Sequence, residues 1–222
     1  MRYLALGDSI SIDEYPQHET GLWGLGAASL FHQNDDARWP EFERRDLATL
    51  HPGIAFTNLT ADGATTFDVL DDQLPRVKPD DDAAIVTLTA GGNDMLMNLG
   101  SAHPPDGLVD GMIERLNRIL ERTLELLPNA RIFVGTVYDP SDGTNVLEGR
   151  RLDREAGWLA RYNHAVREAA SREEVQLADI HKHFLGHGLT APEEERWYWR
   201  QLIFEPNAKG ASEVRRLWLE LL

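Results

Sequence analysis

Five short apolar segments rich in β-branched residues recur along this chain, separated by stretches of helical periodicity. That alternation restricts the fold more than any other feature. The segments span residues 2–6, 54–59, 83–89, 131–138 and 175–180, each bounded by Gly, Pro or Asp. Between them, Met112, Leu116, Ile119, Thr123 and Leu127 form a 3.6-residue stripe that Pro128-Asn129 terminates. Leu159, Asn163, Val166 and Ala170 repeat the pattern in a second helix, and Phe67, Leu70 and Leu74 in a shorter one. A last helix from Gly210 onward carries Val214, Leu217, Trp218 and Leu221 on one face. Strands that alternate with helices pair in parallel, and a parallel sheet is covered on both faces. The expectation is a three-layer α/β/α domain around a five-stranded parallel sheet, with all 222 residues in one domain. Residues 13–36, rich in Gly, and residues 139–153 fit neither periodicity and read as long loops, which in a compact domain are usually functional or disordered.

Charge and composition remove several function classes. Twenty-two basic against 37 acidic residues leave a formal charge of −15, a field that repels phosphate backbones and anionic membrane surfaces. Nucleic acid is therefore not an expected partner. The chain contains no cysteine, which excludes disulfides, thiolate zinc sites and cysteine nucleophiles. No run approaches the ~18 apolar residues that a membrane span needs, and the N-terminal MRYLALGDSI is too short for a secretory core. These features point to the cytoplasm. They leave the oligomeric state open.

In an open parallel sheet, ligands bind beyond the carboxyl ends of the strands. The residues found there are GDSIS after the first strand, TADGATT after the second and AGGNDML after the third. YDPSDG follows the fourth and HKHFLGHG the fifth. Each is ambiguous alone. Gly7-Asp8-Ser9 reads either as a glycine turn with a helix cap or as an exposed nucleophilic serine. Gly63 is a turn residue or a close backbone donor. Asn93, in Gly91-Gly92-Asn93-Asp94, is a cap or an oxyanion donor.

Taken together and in this order, GDSI at 7–10, Gly63, GGND at 91–94 and PNAKG at 206–210 resemble the SGNH, or GDSL-type, hydrolase family of esterases and lipases. The resemblance extends through the strand–helix order over nearly the whole chain. It implies a flavodoxin-like α/β/α sandwich and cofactor-free hydrolysis of a small-molecule carboxylic ester through an acyl-Ser9 intermediate. The oxyanion would be held by the Ser9 and Gly63 N–H groups and the Asn93 side chain.

One block departs from the pattern. The family carries Asp-x-x-His just before Pro-Asn, and this chain has Leu202-Ile203-Phe204-Glu205 there, with Glu205 read as a turn residue. Three explanations compete. A histidine from the segment after the fifth strand serves as base, with Glu205 orienting it; His187 and His183 are the candidates, with His181 beside them. Glu205 itself deprotonates Ser9, which needs a carboxylate more basic than usual. Or the site is catalytically degraded and retained as a binding module. His181-x-His183-x-x-x-His187 also has a metal-compatible spacing, but no carboxylate pattern accompanies it, and no metal is expected. A flavin or phosphate binder would need a Ser/Thr-rich loop after the first strand, which is missing. Trp197-Tyr198-Trp199 reads as core or pocket rim, and Asn163 as a hydrogen-bonded core amide.

Overall fold

A computed structural model describes residues 1–147 and 149–222. Five parallel strands form the central sheet: β1 (Arg2–Gly7), β2 (Ala55–Asn58), β3 (Ala84–Thr89), β4 (Ala130–Gly135) and β5 (Val175–Ala178). Their spatial order is β2-β1-β3-β4-β5. Successive side chains of a strand face opposite sides, so each inner strand feeds two cores. Leu4, Leu6, Val86, Leu88, Ile132 and Val134 enter one core, and Tyr3, Ala5, Ile85 and Phe133 enter the other. Being buried on both faces makes these strands read as nearly continuous apolar runs.

Two helices close the first core. Helix α3 (Leu108–Leu126) inserts Met112, Leu116 and Ile119, and α4 (Asp153–Ala169) inserts Tyr162 and Val166. Each such side chain, fully buried, contributes about 1.5–3 kcal/mol relative to exposure. The opposite core is closed by α2 (Ala27–His32), which follows α1 (Glu14–Thr20), and by the C-terminal α5 (Ala208–Glu220) through Val214 and Trp218.

Three sequence expectations change here. Residues 13–36 hold two short helices, α1 and α2, rather than one long loop. Phe67 does not share a buried face with Leu70 and Leu74: it is 56 % exposed. The segment passes from one α-helical turn through a π-helical stretch to a 3-10 turn, so no single periodicity applies. Glu205 lies not in a turn but on a short strand (Leu202–Pro206) that pairs antiparallel with Tyr198–Trp199.

The strand order reverses direction at β1. From β1 the chain moves outward to β2 on one side, then crosses to β3 on the other. The loops after β1 and β3 therefore diverge, opening a crevice at the carboxyl end of the sheet. Ser9 sits at its mouth.

Candidate active site

The loop after β1 is held from several directions. Gly7 has φ 126°, and a Cβ there would stand 1.8 Å from the Thr89 carbonyl oxygen, so the turn requires glycine. The buried Gln73 side chain accepts from the Gly7 N–H at 2.8 Å and donates to the Gly7 carbonyl at 2.8 Å. The Asp8 N–H donates to the Thr89 carbonyl at 3.0 Å, and the Asp8 carboxylate accepts from the Ile10 N–H at 3.2 Å. Burial pushes the Asp8 carboxyl up to about 7, against the opposing pull of Thr89 and the Ile10 N–H. Ser9, 5 % exposed, follows directly.

The loop after β2 brings Gly63 in a left-handed conformation, φ 71°. After β3, Gly91 adopts φ 107° with its backbone against the Tyr162 ring, where a Cβ would stand 2.3 Å from the ring carbon. This turn starts the helix Gly92–Leu96, on which Asn93 projects. The Asn93 Nδ2 donates to the Ala64 carbonyl at 3.0 Å, and an amide nitrogen has a second proton to give. Neither the Ser9 N–H nor the Gly63 N–H has an acceptor among the described residues. Three donors, two of them backbone, thus stand on the loops that end β1, β2 and β3.

Glu205 arrives from the far end of the chain. It is 6 % exposed and shares one pocket with Asp8, Ser9, Asn93 and Tyr138. Asn207 anchors the segment: its Oδ1 accepts from the Gly210 N–H at 2.8 Å, capping α5, while its Nδ2 donates to the Arg196 carbonyl at 2.9 Å. The Tyr138 hydroxyl donates to the Phe204 carbonyl. Burial raises the Glu205 carboxyl to about 8; the Ser9 hydroxyl pulls it down, and the charges of Asp8 and Asp62 push it up. Its Oε2 is buried without a hydrogen-bond partner among the described residues. The Ser9 hydroxyl is thus close enough to stabilise the carboxylate, but no hydrogen bond of ordinary length closes between them among the described residues. Asp62, next to Gly63, accepts from the Tyr15 hydroxyl of α1 at 2.9 Å.

The histidines are engaged elsewhere. His183 pairs with Glu213 through Nε2 at 2.9 Å. His187 stacks on Trp197, with centroids 3.7 Å apart and planes 6° from parallel. His181 is half-buried, and its ring is shifted toward the neutral form chiefly by burial, then by the Arg167 charge. None of the three lines the Ser9 pocket. The expectation that His187 or His183 bridges Glu205 and Ser9 is not met by this geometry. Neighbouring strands lie about 4.8 Å apart, so β5, three positions from β1, starts those histidines roughly 14 Å to the side.

The remaining pocket walls were not legible in the sequence. Met95, Leu96 and Leu99 follow Asn93, and Leu147, Leu152 and Leu159 come from the residues before α4 and from α4 itself. Part of the segment that read as an unassigned loop is a small hairpin, Val146–Leu147 with Arg150–Arg151, and it supplies Leu147. Among the described residues no cluster of three or more His, Asp or Glu side chains is arranged to hold a metal ion. No helix there is long and apolar enough to cross a membrane.

Comparison with known proteins bears on the fold and the family. Solved structures with the same fold include an extracellular lipase from Streptomyces rimosus (19 % identity, all of both chains covered, TM-score 0.68). They also include phospholipase A1 from Streptomyces albidoflavus NA297 (19 % identity, 99 % of this chain and 97 % of that one, TM-score 0.63). A third is the acetylxylan esterase Axe2 from Geobacillus stearothermophilus (18 % identity, 99 % and 92 %, TM-score 0.65). No curated protein sequence matches. Residues 5–212 match the model of a family of ester hydrolases, and on that match, over almost its whole length, the chain belongs to the GDSL-like Lipase/Acylhydrolase family.

Proposed function

We propose that this family member hydrolyses carboxylic esters through an acyl-Ser9 intermediate, with Glu205 in place of histidine as the general base. The observation that carries the reading is a buried serine and, in the same pocket, a buried carboxylate oxygen with no hydrogen-bond partner among the described residues. In the proposed cycle the Ser9 Oγ attacks the ester carbonyl while its proton passes to Glu205. The carbonyl oxygen becomes an oxyanion, received by the Ser9 N–H, the Gly63 N–H and the free proton of Asn93 Nδ2. Collapse expels the alkoxide, which takes the proton back from Glu205 and leaves as the alcohol. Water then attacks the acyl-enzyme by the same route in reverse, releasing the acid and restoring the Ser9 hydroxyl.

A carboxylate of ordinary basicity is a weak base for a hydroxyl. Burial and the neighbouring charges of Asp8 and Asp62 remove that objection, because a base with pKa about 8 is matched to proton transfer near neutral pH. The lack of a histidine among the described pocket residues favours the opposing reading of a degraded binding site. Labelling with a fluorophosphonate probe separates the two. Stoichiometric modification of Ser9, abolished in Ser9→Ala together with hydrolysis of p-nitrophenyl esters, is expected. A protein inert to the probe, or an alanine variant that turns over normally, refutes this mechanism.

A further inference from the structure

One short helix touches both the loop that carries Gly63 and the strand that carries Glu205. α1 (Glu14–Thr20) begins shortly after Ser9, and the turn between them is closed by the Ser11 N–H on the Asp8 carbonyl at 3.2 Å and the Ile12 N–H on the Ser9 carbonyl at 3.4 Å. Asp13, just ahead of the helix, accepts from the Gly26 N–H at 2.6 Å and from the Ser29 hydroxyl at 2.9 Å, which ties this end to α2. In the first turn the half-buried Tyr15 donates its hydroxyl to Asp62, the residue before Gly63, at 2.9 Å. The Tyr15 ring packs on Trp199 with centroids 5.5 Å apart, and His18 stacks on the same indole at 5.6 Å. Trp199 in turn pairs with Leu202 of the strand that carries Glu205. In the last turn Glu19 accepts from the Ala208 N–H at 2.8 Å, at the start of α5 and just beyond that strand. Tyr15 is not among the described residues that line the Ser9 pocket.

We infer that Tyr15 is a positioning residue for the reaction: seated on Trp199, its hydroxyl holds Asp62, and with it the adjoining Gly63 donor, at a fixed distance from the strand that presents Glu205. The inference rests on Ser9, Gly63 and Glu205 acting as proposed above. Gly63 needs such a tie. Its φ of 71° costs a glycine no strain, and a Cβ there would meet nothing within 4 Å, so neither conformation nor packing at Gly63 itself fixes its N–H. The nearest backbone bonds run from the Ala61 N–H to the Gly7 carbonyl at 3.1 Å and from the Ala64 N–H to the Ala61 carbonyl at 3.2 Å. They anchor the residues on either side and leave Asp62-Gly63 to a side chain. A hydroxyl bonded to a carboxylate is charge-assisted, and so among the stronger pairings open to an exposed loop. The Asp62 charge also faces Glu205, together with that of Asp8 and the hydroxyls of Ser9, Tyr15 and Tyr138. Asp62 therefore carries two separable effects, the anchoring of Gly63 and an electrostatic push on the base.

The test starts from Tyr15→Phe, which keeps the ring on Trp199 and removes only the hydroxyl. On a p-nitrophenyl ester its kcat is expected to fall about tenfold with KM little changed, less than the ~10²-fold that a misplacement of about 1 Å costs. Asp62→Asn, whose amide oxygen still accepts from Tyr15, is expected to lose less of kcat than Tyr15→Phe. It is also expected to move the midpoint of the pH–kcat/KM curve to lower pH, because a negative charge beside Glu205 is gone. Combining Tyr15→Phe with Asp62→Ala is expected to cost no more than the worse of the two alone, since both break one contact. Hydrogen exchange at residues 61–64, followed without substrate, is expected to speed up in Tyr15→Phe and not in Asp62→Asn. Unchanged exchange in Tyr15→Phe overturns the inference whether or not Ser9 reacts. In a protein that the fluorophosphonate probe labels at Ser9, so does an unchanged kcat, or a loss in the double variant equal to the product of the single losses. A protein inert to the probe refutes the mechanism above instead, and faster exchange there still upholds the Tyr15 tie.

Discussion

The buried Asp94 carboxylate accepts two hydrogen bonds from Thr66, one from its backbone N–H at 2.9 Å and one from its hydroxyl at 2.6 Å. Asp94 follows Asn93 and Thr66 follows Gly63 by three residues, so this contact joins two of the three loops that carry the proposed oxyanion donors. Arg115, one turn along α3 from Met112, clamps the junction by donating to Thr66 Oγ1 at 2.7 Å and to Asp94 at 3.1 Å. The spacing between Gly63 and Asn93 is therefore braced from α3 through their neighbours Thr66 and Asp94.

Arg115→Met is expected to lower kcat by roughly 10- to 100-fold with KM little changed, because a misplacement of about 1 Å at an oxyanion donor has that scale of effect. Arg115→Lys, which keeps the charge and reaches one acceptor, is expected to recover part of it. Steady-state kinetics on a soluble ester checks this. A stability loss with kcat intact would reduce Arg115 to a brace for the fold.

For Asn93, one amide proton is committed to the Ala64 carbonyl and the other is free. Asn93→Ala is expected to lower kcat by ~10²–10³, the cost of losing one oxyanion donor. An effect of tenfold or less would make Asn93 a residue of the turn alone.

Gln73 offers a prediction about stability rather than catalysis. Its amide bonds both backbone groups of Gly7, the buried last residue of β1. Gln73→Leu removes the acceptor of the Gly7 N–H, at about 1–3 kcal/mol for one buried polar group, while the Gly7 carbonyl keeps the Ala61 N–H at 3.1 Å. Chemical denaturation is expected to show a loss of that order. Gly7→Ala is expected to be worse, since the new methyl would collide with the Thr89 backbone.

How much of this was legible in the sequence differs by residue. The strands β1, β3 and β4 are apolar on both faces and were found within a few residues of their true ends. Ser9, Gly63 and Asn93 lie beyond the ends of β1, β2 and β3, where the sequence placed them. Glu205 was misread as a turn residue because Pro206-Asn207 is a turn signal, yet proline is tolerated at the end of an edge strand such as Leu202–Pro206. The histidines were misjudged for a different reason. Sequence places them beyond the end of β5, but it gives neither the lateral distance from β1 nor the direction of the side chains, and Trp197 and Glu213 claim two of the rings. The aliphatic pocket wall carried no signal at all, because leucines on a half-exposed helix face look the same whether they meet a core or a ligand.

The last prediction sets activity against stability over one pH window. Asp8 and Asp62 act on the Glu205 charge, and Tyr15 and Tyr138 lie close enough to feel it in return. The Glu205 carboxyl sits at about 8 in the folded protein, above its ordinary 4.5, so the folded state holds the proton more tightly than the unfolded chain. The stability it contributes is complete below pH 4.5 and is lost as pH rises through about 8. Asp8 acts with the same sign, but its loss ends near pH 7. A Glu205 that serves as base is active only when ionised, so kcat/KM is expected to climb through pH 8 while the wild type loses stability. Glu205→Gln removes both behaviours: turnover is expected to fall ~10²–10⁴-fold, the usual contribution of a general base, and the decline in Tm between pH 7 and 8 to flatten. His183→Gln and His187→Phe are expected to leave the profile in place, since neither ring enters the pocket. A pH–rate curve that rises near pH 6.5 and disappears in either histidine variant would return the proton to histidine and overturn the assignment of Glu205 as base.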